Sequence, residues 1–80
     1  MRKNAVVIDM LFGQRNLYDR LIRELQEEGD LETHILRGRV QTDAAWLKLE
    51  VRGADQRVKE LIRRWGDSIL SLTRLPQSAA

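Results

Sequence analysis

From Ala44 to Arg52 the chain reads AAWLKLEVR, and from Ala45 onward small or aliphatic residues alternate with a tryptophan and three charged residues. At a period of two, Ala45, Leu47, Leu49 and Val51 share one side of a strand, and Trp46, Lys48, Glu50 and Arg52 share the other. A strand of this kind wants one covered face and one open face, as in an antiparallel sheet with a helical layer on a single side. Every other segment has to be compatible with that sheet.

The flanking patterns supply the rest of it. AVVIDMLF, residues 5–12, is apolar on both sides except for Asp9, which suits a central strand. Leu17, Leu21 and Leu25 then recur at four-residue steps with Tyr18 and Ile22 beside them, the stripe of an amphipathic helix. Asn16 is placed to cap that helix at its start, and Gly29 to close it in a left-handed conformation. Residues 31–42 read as a second strand, with Leu36, Gly38 and Val40 alternating against Ile35, Arg37, Arg39 and Gln41. After the alternating strand, Gly53 ends the run and Asp55 is placed to cap a second helix with Val58, Leu61, Ile62 and Trp65 on one face. Gly66 closes it, DSILSLTRL forms a last strand at about 67–75, and Pro76 stops that strand before a flexible tail at 76–80. The order is β-α-β-β-α-β. The expected fold is α+β and ferredoxin-like: one domain over residues 1–80, with a core at about 5–75 and a four-stranded antiparallel sheet carrying two helices on one face.

Composition narrows the chemistry. Eighty residues form one small domain, for which self-association is a common source of added stability. There are no cysteines and one histidine, so neither a disulfide framework, a thiolate metal site nor a multi-histidine site is available. No apolar run approaches the ~20 residues that span a bilayer. The start MRKNAVVIDMLFG lacks a small-residue cleavage site and is needed as a strand, so the expectation is mature protein in the cytoplasm. Fourteen Lys and Arg against 12 Asp and Glu leave an excess of two cations with no basic block, and the middle strands offer one outward aromatic, Trp46. That is not the footprint of a nucleic-acid binder. FGQRN has one glycine before a helix and lacks the Lys-Ser/Thr of a phosphate loop, and no nucleophile–base set exists, so no enzymatic activity and no cofactor is expected.

The unusual segment is THILRGRV, residues 33–40, with the only histidine, a glycine inside a strand and two arginines. A mid-strand glycine commonly marks a bulge or a close approach of backbone or ligand. The face carrying Trp46, Lys48, Glu50 and Arg52, extended by Ile35, Arg37, Arg39, Asp9 and Val7, joins an aromatic to charges of both signs, as a self-complementary interface does.

DMLFGQ, then EEGDLETHILRGRV and LKLEVRG resemble the NIL domain, named for an Asn-Ile-Leu triplet followed by a residue and a glycine. The resemblance spans about residues 5–73. It implies a ferredoxin-like regulatory domain of the kind found on methionine ABC-transporter ATPases and as free-standing proteins, paired with another copy and binding an amino acid such as methionine. Carried over, the triplet falls on His34, Ile35 and Leu36, its glycine on Gly38, and the glycine between first strand and first helix on Gly13. His34 stands where the family has Asn, Ala45 where a glycine often enters the third strand, and TDAA where the family has a small-residue hairpin. The resemblance therefore implies a ligand site of His34, Ile35, Leu36, Gly38 and Gly13, to which Arg37 or Arg39 adds a guanidinium suited to a carboxylate. The outward face adds an expected homodimer or higher-oligomer interface of Trp46, Lys48, Glu50 and Arg39. A protein-interaction module with no ligand is the competing expectation.

Overall fold

A computed structural model describes residues 3–75. The elements are β1 (Lys3–Phe12), α1 (Arg15–Glu27), β2 (Glu32–Val40), β3 (Ala45–Ala54), α2 (Asp55–Arg64), a 3-10 turn (Gly66–Ser68) and β4 (Ile69–Arg74). The strands form one antiparallel sheet in the order β2-β3-β1-β4, the expected ferredoxin-like α+β arrangement with β1 and β3 in the centre. Pro76 and the tail lie outside the described residues.

The core forms where the period-two and period-3.6 stripes meet. Val6, Ile8, Met10 and Phe12 from β1 and Ala45, Leu47, Leu49 and Val51 from β3 point to the same side. Leu21 and Leu25 of α1, with Val58 and Leu61 of α2 and Trp65 just beyond it, cover them. Phe12 is the hub: its ring meets Tyr18 edge-on at 6.1 Å and Trp65 edge-on at 5.9 Å, an arrangement aromatic quadrupoles favour. Trp46 is on the opposite face, as the alternation requires.

The helix ends differ from expectation. Asn16 is the second residue of α1, and the cap position belongs to Gln14, with no side-chain cap bond. Asp55 is the first residue of α2 instead of its cap; its carboxylate takes Lys59 Nζ at 3.0 Å and accepts a hydrogen bond from Asn4 Nδ2 at 2.9 Å. The hydrogen bond from Lys59 holds the Asp55 carboxyl below the ordinary Asp range. α1 is followed by a cap residue, Glu28, with negative φ, and no glycine among the described residues has positive φ, so Gly29 is not a left-handed cap. Gly66 follows the Trp65 cap and opens the 3-10 turn.

Both edge strands carry a bulge. Ile35 pairs with Leu49 and Arg37 with Lys48, so Leu36 is the extra residue in β2. Asp9 pairs with Ser71 and Met10 with Ile69, so Leu70 is the extra residue in β4. Bulges at sheet edges re-aim the side chains beyond them and discourage indiscriminate pairing. The β2 bulge corrects one expectation. Ile35, opposite Leu49, is on the helix side of the sheet and not on the open face with Arg37 and Arg39.

Glu24 joins the two helices in a way the sequence does not advertise. Trp65 Nε1 donates to its Oε2 at 3.0 Å, and the Arg64 guanidinium sits against its Oε1, which is closed off from solvent. Glu24→Gln keeps an acceptor for the indole but removes the charge facing Arg64. The expected loss is about 1 kcal/mol in urea unfolding.

Candidate functional site

The open face of the sheet is built by rows running across the strands. Partner residues in an antiparallel ladder project to the same side, so the register lists the neighbours directly. Glu32 lies beside Arg52 and Ala5; His34 beside Glu50, Val7 and Thr73; Arg37 beside Lys48, Asp9 and Ser71; Arg39 beside Trp46 and Leu11. The sequence-derived residues Trp46, Lys48, Glu50, Arg37 and Arg39 therefore do share one face, together with His34.

The charges on this face are arranged unevenly. In the half nearer Glu32, Arg52 Nε meets Glu50 Oε1 at 2.6 Å and His34 Nε2 is 3.8 Å from Glu32 Oε1. The hydrogen bond that Arg52 donates to Glu50 reinforces the protonated state of its guanidinium. In the other half, Arg37 stands directly opposite Lys48, and Arg39 follows on the same edge. None of these three cations has an ion pair or side-chain hydrogen bond with another described residue. Asp9 is the acidic neighbour in that row, across from Lys48, and it accepts a hydrogen bond from Ser71 Oγ at 2.8 Å. Like charges directly opposite on a sheet are unfavourable unless an anion comes between them.

On the other side of the same strand, the apolar residues are uncovered. Ile35 is 55% exposed, Leu36 46% and Val40 43%, because the helices pack over β1 and β3 and leave the edge strands beyond their cover. Leu11, beside Trp46, is 47% exposed and was not singled out by sequence reasoning, although its place in the β1 alternation puts it there.

Two expected site residues behave differently. Gly13 follows Phe12, which pairs with Ala45, which in turn pairs with Val40. It is thus two strands away from β2 and beyond the end remote from His34, and the structure does not bring it to the other residues. Gly38 is not itself in the bulge, and a methyl group there would meet Leu47 Cδ1 at 3.6 Å, an ordinary contact.

An open groove of about 450 Å³ lies elsewhere, between the C-terminal end of α1 and α2. Its two cations are already engaged: Arg57 Nε with Asp30 at 2.8 Å, which raises the Arg57 pKa, and Arg64 with Glu24. Glu27 and Glu28 add further negative charge to its walls. The groove therefore offers little to an anionic ligand. Among the described residues there is no cluster of three or more metal-ligating side chains, and no helix is long and apolar enough to cross a membrane. Comparison of the chain with profiles of known families, with curated proteins and with solved structures finds no match.

Proposed function

We propose that this protein is a non-enzymatic binding module that works as a homo-oligomer and takes a small carboxylate-bearing ligand, an amino acid of the methionine type being the first to test. The observation that carries this reading is the open face at the β2 edge, where Arg37 and Arg39 have no anionic partner among the described residues and exposed Leu11 lies beside Trp46. An arginine fork matches a carboxylate in two parallel hydrogen bonds, and Trp46 and Leu11, which share the open face beside Arg39, suit an aliphatic or thioether group. His34 supplies a polar contact from the same strand. The resemblance to the NIL domain supports this assignment and gives it a regulatory role, in which ligand favours one association geometry by binding it more tightly than the other. A strand on an open edge is only half a site, so the second half comes from another subunit.

A competing reading needs no ligand. Trp46 and Leu11 are neighbours across β1 and β3 on the open face, and an aromatic beside an exposed leucine is a common anchor for a protein partner. Native mass spectrometry separates the two readings. The ligand-binding module flies as an oligomer, gains mass with methionine or another amino acid, and keeps its subunit count in a Trp46→Asp variant. An oligomer that takes up no amino acid and falls apart in Trp46→Asp is the interaction module instead.

A further inference from the structure

The bulge at Leu36 determines how β2 can pair with itself. We propose that two copies join through their β2 strands about a two-fold axis between Ile35 and Leu36, in the register that sets Glu32 opposite Arg39 of the second copy. This rests on the homo-oligomeric reading above and specifies the partner and its geometry.

Residues opposite one another in a ladder must project to the same side of the sheet. On β2 the open side carries Glu32, His34, Arg37 and Arg39, while the helix side carries Thr33, Ile35, Gly38 and Val40. The bulge has switched the odd and even positions between those two halves. A two-fold antiparallel pairing makes the numbers of opposed residues sum to a constant. With an even constant, as for an unbulged strand, Glu32 meets Val40 or Gly38 and His34 meets Gly38, each pair on opposite sides. Continuous matching across the bulge requires an odd constant, and two such registers keep every pair matched apart from the bulged residue.

Charge chooses between them. One register opposes Glu32 to Arg39, Thr33 to Gly38, His34 to Arg37 and Ile35 to Leu36, each twice. The other opposes Arg39 to His34, Val40 to Thr33, Ile35 to Gly38 and Arg37 to Leu36, which offers no opposite charges. The first supplies two Glu–Arg pairs, which leaves Arg37 as the guanidinium for a ligand carboxylate, and places uncovered Ile35 and Leu36 against each other at the axis. β2 lacks proline and lysine, and its one protection, the bulge, excludes the even registers while leaving this one open. At nine residues it is longer than β4, whose six described residues include one charge, Arg74. The two-fold arrangement is closed, so it produces a dimer and leaves each β4 edge outside.

The absence of native cysteine makes the register directly readable. Opposed residues in a ladder bring Cα atoms to about 4.5–5.5 Å, within disulfide range, whereas a shift of two residues does not. Oxidation with diamide is expected to convert Glu32→Cys/Arg39→Cys into a covalent dimer and to leave His34→Cys/Arg39→Cys monomeric in denaturing gels. Separately, Glu32→Arg and Arg39→Glu should each weaken dimerisation by about tenfold or more in sedimentation, and the double swap should restore it. Cross-linking of the 34/39 pair instead overturns the register while the oligomer remains. A dimer that forms neither cross-link and dissociates in Trp46→Asp overturns edge pairing. A monomeric wild type overturns both the register and the homo-oligomeric reading. A cross-linked 32/39 dimer that binds no amino acid upholds the register and removes the ligand.

Discussion

Phe12→Ala is expected to leave a large part of the protein unfolded at room temperature or just above it. The side chain is fully buried at the end of β1, where its ring touches those of Tyr18 on α1 and Trp65 beyond α2. Removing a buried phenylalanine costs about 3–5 kcal/mol through lost burial and the cavity left behind. A chain of this length has about 4–12 kcal/mol of stability in total, so the substitution consumes a major fraction of it. Collapse of the cavity is hindered because Leu47 and Ala45 are held by the central ladder, and the two helices meet on this one ring. Urea unfolding followed by the tryptophans should show the midpoint falling sharply at an unchanged slope. A shift under 1 kcal/mol would mean that Phe12 is not the hub. Because none of these rings lies on β2, any surviving folded fraction should retain the self-association proposed above.

The elements of the fold were legible because each is specified by a run of side chains. The Leu17, Leu21, Leu25 stripe and the Val58, Leu61, Trp65 stripe both end buried, and the Ala45 to Val51 alternation sets which face of the sheet is covered. Helix ends were less legible. Asn16, Asp55 and Gly29 are residue types that favour caps, but a cap depends on the dihedrals of one residue. At Asp55 other partners take the carboxylate: Lys59 one turn further along α2, and Asn4 on β1. The bulges had a signal that alternation alone passes over. Each falls at an Ile-Leu pair, Ile35-Leu36 and Ile69-Leu70, where two apolar residues in succession break the period of two. Reading β2 as unbroken places Arg37 and Arg39 correctly and Ile35 on the wrong face. Gly13 illustrates a different limit. Closeness to a motif in a resemblance is not closeness in the sheet, and only strand order separates Gly13 from β2.

Two glycines on neighbouring strands should respond to alanine with opposite signs. At Gly53 a Cβ would stand 2.5 Å from Leu31 Cδ2 and 3.2 Å from the Asp30 carbonyl oxygen. The leucine tip can rotate, but it is buried, and the carbonyl belongs to the backbone entering β2. Relief requires β2 to move away from β3 at its start, and overpacking of this kind costs about 1–3 kcal/mol. At Gly38 the same methyl group meets only ordinary contacts, and φ there is not positive. Alanine in place of a strand glycine removes freedom from the unfolded chain, so Gly38→Ala should be neutral or add about 0.4–1 kcal/mol. Thermal unfolding of the two variants beside wild type reads both signs at once, and a destabilised Gly38→Ala would contradict the space seen around that residue. The contrast also separates folding from association. Nothing within one subunit needs Gly38 to lack a side chain, yet in the proposed pairing it faces Thr33 of the second copy. A Gly38→Ala protein that is as stable as wild type but dimerises or binds ligand more weakly therefore locates the need for glycine between subunits, where another backbone or a ligand comes close.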